Sequence, residues 1–79
     1  MISHIDVARW MLEKLSQEKT LYQEAVIYDI ATKFGAEFIY LSVNEGLSID
    51  RRILNEFRSL AENTVVWDSG EKCWRYRAE

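Results

Sequence analysis

The chain has no proline, one cysteine, one histidine and three glycines in 79 residues. Each shortage closes off a class of protein. Without proline there is no polyproline segment and no proline-rich linker. Cys73 stands alone, so no disulfide can form within the chain and the fold cannot rest on a disulfide framework. With His4 as its one histidine, the chain has no cluster of soft ligands for structural zinc, and neither metal nor cofactor is expected. The glycines are isolated at Gly35, Gly46 and Gly70, which rules out a glycine-rich phosphate loop. Apolar runs such as AVIY and FIYL fall far short of the roughly 20 residues that span a membrane. The opening MISHIDVARW carries Asp6 and Arg9 where a secretion signal has a continuous apolar stretch. A cytoplasmic protein without membrane contacts is the expectation.

Catalysis is not expected either. No nucleophile motif is present, and Glu24 and Asp29, five positions apart in a helical segment, do not share a face. A Cys73–His4 pair would need the two chain ends to meet in a cleft, and a lone cysteine in a strand behaves as a small buried hydrophobe.

What is there is ordinary globular material, 48% apolar and 29% charged. A chain of this length buries only about 60% of its unfolded surface and fills one core, so residues 1–79 are read as a single domain. The net charge is −3, with four Lys/Arg against seven Asp/Glu in residues 1–48 and six of each in residues 49–79. Such a chain has no long-range attraction to phosphate. Any nucleic-acid role must rest on a local basic surface.

Ser3 and Asp6 have the spacing of a capping box, and a helix follows to about Glu18, with Ile5, Ala8, Leu12 and Leu15 as its stripe, widened by Val7 and Met11. Trp10 lies off the stripe centre, where it closes the edge of the core. After SQEK, the segment TLYQ reads either as a second capping box or as a very short strand. A second helix then runs to Phe34. It is apolar nearly all round, from Ala25 and Val26 to Ala31 and Phe34, which predicts the central and most buried helix. Gly35 stands where a left-handed cap ends a helix. FIYLSV at residues 38–43 predicts a strand, NEG a turn, and LSI a segment that pairs back. Ser48 is the expected cap of a third helix to about Glu62, with Ile53, Leu54, Phe57, Leu60 and Ala61 inward. Its outward face holds Arg51, Arg52, Asn55, Ser59 and Glu62.

The last segment, VVWDSGEKCWRYR, reads as a hairpin. A two-residue Ser69–Gly70 turn sets Trp67 opposite Lys72 and Val65 opposite Trp74, with Val65, Trp67, Trp74 and Tyr76 on one face and Cys73, Arg75 and Arg77 on the other. The fold class is therefore α+β: three helices, a short strand between the second and third, and a C-terminal β-hairpin.

This order of elements resembles a winged-helix domain over nearly the whole chain. The segments FGAEFIY, VVWD and CWRYR also look like those of a family of short uncharacterised bacterial proteins, a resemblance that implies no activity. In winged-helix proteins the third helix commonly enters the DNA major groove and the hairpin touches the backbone. The resemblance implies duplex DNA as a partner, with Arg51, Arg52, Asn55 and Ser59 on the recognition helix and Lys72, Arg75 and Arg77 on the wing. The chain departs from the pattern twice: residues 36–47 stand where a three- or four-residue turn is usual, and Asp50, Glu56 and Glu62 accompany the arginines. Two functional readings follow. One is a nucleic-acid-binding or transcription-associated module; the other is a protein-interaction or dimerisation domain that does not bind DNA, anchored by Trp10 or Trp67. In a solvated face, Arg52 with Glu56 and Arg58 with Glu62 would pair at helical spacing.

Overall fold

The computed structural model describes residues 1–42 and 46–77. Along the chain come α1 (His4–Glu18), β1 (Thr20–Tyr22), α2 (Gln23–Lys33), a 3₁₀ turn (Ala36–Phe38), β2 (Ile39–Ser42), β3 (Gly46–Ile49), α3 (Arg51–Ala61), β4 (Val65–Asp68) and β5 (Cys73–Tyr76). The expected α+β order is present. The strands form two antiparallel sheets, one in the order β1-β5-β4 and one pairing β2 with β3.

The capping box at the start of α1 is closed: the Asp6 amide donates to Ser3 Oγ at 3.3 Å and the Ser3 amide to Asp6 Oδ2 at 2.9 Å. At its other end Lys19 takes a left-handed conformation, and its amide bonds the Leu15 carbonyl at 2.7 Å. Between these caps, α1 buries Val7, Ala8, Met11 and Leu15. The inward stripe is therefore centred on Met11. Ile5, expected at its head, is exposed and Leu12 is only partly buried, while α1 packs on α3 and the row 7–11–15 is fully buried.

On α3 the inward residues are Ile53, Phe57 and Ala61. Phe57 meets Trp74 of β5 edge to face, with ring centroids 5.7 Å apart, so helix pair and sheet share one contact at the centre of the core. Leu21, Val26, Ile30, Phe38 and Ile49 complete the cluster. Asp50, and not Ser48, is the cap: its carboxylate accepts from the Arg52 amide at 2.9 Å. Ser48 is committed to β3 opposite Tyr40, where it is buried.

The reading of α2 as the most buried helix is corrected. Val26 and Ile30 face the core, while Ala25, Tyr28 and Ala31 are exposed. With α1 and α3 packed on each other, a domain of this size has no further layer to cover the outer side of α2. Gly35 is not left-handed helical but extended at φ +117° and ψ 151°, a region that side-chain-bearing residues rarely adopt. These dihedrals take the chain out of the helix, and the Gly35 amide bonds the Ile30 carbonyl beside the Phe34 amide instead of continuing the ladder.

TLYQ resolves as strand β1, whose partner lies far along the chain: Thr20, Leu21 and Tyr22 pair with Arg75, Trp74 and Cys73. LSI does pair back, from Ile39 opposite Ile49 to Ser42 opposite Gly46. The rest of the predicted turn, at residues 43–45, lies outside the described residues. In the C-terminal hairpin the register differs from the expected one by two residues, with Trp67 opposite Trp74 and Asp68 opposite Cys73. The cause is Asp68, whose Oδ1 accepts from the Gly70 amide at 2.9 Å and the Glu71 amide at 3.2 Å and so closes a longer loop. A shift of two leaves every side chain on its predicted face. Cys73 is buried, as a small hydrophobe in the central strand.

Phe57→Ala should cost about 3 to 5 kcal/mol in urea unfolding, whereas Leu60→Ala, at an exposed position on the same helix, should cost less than about 1 kcal/mol. Similar losses for both would mean that the α3 faces are wrongly assigned.

Candidate functional site

The basic residues singled out in the sequence are all exposed, but several are already engaged. Arg52 grips the Asp50 carboxylate with two bonds, Nε to Oδ1 at 3.2 Å and Nη2 to Oδ2 at 2.9 Å. This guanidinium holds the Asp50 carboxyl below the usual aspartate range, with the Arg52 amide adding to the effect. His4 Nε2 lies 3.8 Å from the same carboxylate, so the start of α1 and the start of α3 meet at Asp50. Arg75 Nη2 lies 2.9 Å from Asp68 Oδ2. The Asp68 carboxyl is lowered first by the Glu71 amide, then by the Gly70 amide and the Arg75 charge. Arg77 donates from Nε to the Asn63 carbonyl at 2.9 Å, which ties the strand end to the α3–β4 link. Among the described residues, the ion pairs of the α3 and hairpin arginines are Arg52–Asp50 and Arg75–Asp68, not the helical-spacing pairs with Glu56 and Glu62. Arg51, Asn55 and Ser59 point to solvent from α3, and Lys72 is exposed in the hairpin loop at φ 54°.

The two tryptophan candidates part company. Trp10 is half-buried, packed edge to face on Phe34 at 5.5 Å with Lys14 Nζ over its ring at 5.8 Å, and it closes the core as expected. Trp67 is 43% exposed. Its ring lies on Trp74, centroids 4.7 Å apart, and continues the core outward to the surface.

Trp67 opens onto a broad concave groove. Its walls are the outer side of α2, the β2–β3 pair, Leu54 and Arg58 of α3, and the hairpin from Trp67 to Lys72. Tyr22, Tyr28, Tyr40, Leu41, Leu47 and Trp67 line it, and all six are exposed, Tyr28 to 70% and Leu41 to 76%. Glu24, Asp29, Arg58, Glu71 and Lys72 supply its charge. Six large apolar or aromatic side chains on one concave surface are suited to excluding water against another apolar surface.

Apart from Trp67, these lining residues were missed in the sequence: Tyr28 was read as part of the most buried helix, and Tyr22, Tyr40, Leu41 and Leu47 only as members of short extended segments. One signal was available. A helix apolar on every side, in a chain too short to surround it, must leave one side bare.

Residues 3–76 match the model of a family of unknown function, DUF6953. The chain belongs to that family. No curated protein and no solved structure matches this DUF6953 chain. Among its described residues no helix is long and apolar enough to cross a membrane, and no group of His, Cys, Asp and Glu could hold a metal ion.

The Asp50 clamp sets a pH dependence. Its folded value lies below its unfolded value, so its contribution is fully present above about 3.9 and is lost as pH falls through the lowered value. Asp50→Asn keeps a capping oxygen but removes the charge. Thermal melts between about pH 2 and pH 5 should therefore fall less steeply for this variant than for the wild type. Asp50→Ala also removes the cap and should cost about 1 kcal/mol at neutral pH. Parallel melting curves for Asp50→Asn and wild type would show that the clamp contributes nothing.

Proposed function

We propose that this domain is a winged-helix-like protein-interaction module whose working surface is the groove between α2, the β2–β3 pair and the C-terminal hairpin. The observation that carries this reading is the apolar lining, six large exposed side chains on one concave surface. Two further features support it. Arg52, Arg75 and Arg77 bond acceptors of their own chain, and a phosphate would have to displace those contacts. The groove's charges are of both signs, which suits a protein surface better than a polyanion.

A photo-crosslinking residue in place of Leu41 should couple the domain to a defined polypeptide, either a second copy or another protein. The same group in place of Arg9, on exposed α1, should not. Equal labelling from both positions, or none from either, overturns the reading.

One observation favours DNA binding as a second reading: Arg51, Asn55 and Ser59 are exposed together on α3, the helix that reads bases in winged-helix proteins. It is tested by titrating isotope-labelled protein with a mixed-sequence duplex at low salt. Amide shifts at Arg51, Arg52, Asn55, Lys72, Arg75 and Arg77 that fade at physiological salt would support phosphate contact. Their absence would remove this reading.

A further inference from the structure

Helix α3 ends in a conformation that its residue type does not favour. Glu62 stands at φ 55° and ψ −125°, outside the left-handed helical region in which Lys19 closes α1. These are the angles of the first central position of a type II′ turn, where glycine is the usual residue because any Cβ is strained there. The turn is closed around Glu62 by Thr64, whose amide donates to the Ala61 carbonyl at 3.1 Å and whose hydroxyl donates to the same oxygen at 2.6 Å. A residue strained in this way persists only where its surroundings hold it.

Those surroundings include the far end of the chain. Arg77 donates its backbone amide to the Thr64 carbonyl at 2.7 Å and its Nε to the Asn63 carbonyl at 2.9 Å, so one arginine grips both residues that follow Glu62. We propose that the α3–β4 link is a strained turn and that Arg77 is its latch: when the guanidinium gives up the Asn63 carbonyl, Glu62 relaxes and the start of β4 comes loose. Glu62, Asn63 and Arg77 are all exposed, so the latch opens without disturbing the core. Among the described residues β4 is an edge strand with β5 as its one strand partner, and nothing on its other side holds its start in place. The buried residues of the hairpin, Cys73 and Trp74, lie on β5 and stay paired with β1. The opening is therefore local. Since β4 carries Trp67, it loosens the hairpin wall of the groove.

Two measurements test the strain and the latch separately. Glu62→Gly should raise the melting temperature by about 4 to 8 °C, because it relieves the turn, while Glu62→Ala keeps a Cβ and should not. No rise for Glu62→Gly, or an equal rise for both, overturns the strain and the proposal with it. Arg77→Ala should speed amide hydrogen exchange at positions 64 and 77 by at least about tenfold beyond any change at Trp74, which pairs with Leu21 in the central strand. Adding Glu62→Gly should remove most of that acceleration, since a relaxed turn needs no latch. Unchanged exchange, or equal acceleration at all three positions, would show that Arg77 does not hold the turn. An acceleration that Glu62→Gly leaves intact would show that the bond it makes holds no strain, and each of these results overturns the latch.

Discussion

The edge-to-face contact between Phe57 and Trp74 is the point on which the domain depends. Phe57 is the inward residue at the middle of α3, and Trp74 belongs to the strand that holds β1 on one side and β4 on the other. Through this pair the α1–α3 layer and the three-stranded sheet bury one another. Trp67 then lies on the outer side of Trp74, so a line of three aromatic rings runs from the core to the groove. The interior and the candidate site share that line.

The same economy explains why α2 is bare. One helix pair and one small sheet use up the burial that a short chain can achieve, and the remaining helix contributes Val26 and Ile30 to the core and little more. Its outer face keeps an apolar composition that solvent does not require. The arginines show the opposite behaviour. They lie where solvent contact costs nothing, yet Arg52, Arg75 and Arg77 are used to brace helix start, hairpin loop and strand end.

Local chemistry was legible in the sequence wherever a few neighbouring residues decide it. The Ser3–Asp6 box, the end of α1 at Glu18, the pairing of LSI with the strand before it and the faces of the last hairpin follow from spacing alone. The cap of α3 was misread because Ser48 and Asp50 both offer a capping oxygen, and only the extent of β3 decides between them. The hairpin loop was read short because Ser-Gly is a strong turn signal, while the side chain that lengthens the loop precedes it at Asp68. What could not be read was anything set by distant partners: the union of β1 with β5, the rotation of the α1 stripe toward Met11, and which side of α2 is left exposed. The groove belongs to this last class, since its walls come from four separate parts of the chain.

The pairing of β1 with β5 also has a temporal side. Thr20–Tyr22 sits between the first two helices, and its hydrogen-bonding partner is Cys73–Arg75, near the end of the chain. Closing a loop of that span costs entropy before any contact repays it. During synthesis the first helices therefore leave the ribosome without the strand that joins them to the sheet, and Leu21 has no Trp74 to cover it until the C-terminal hairpin has followed. The domain is assembled by its last residues rather than its first.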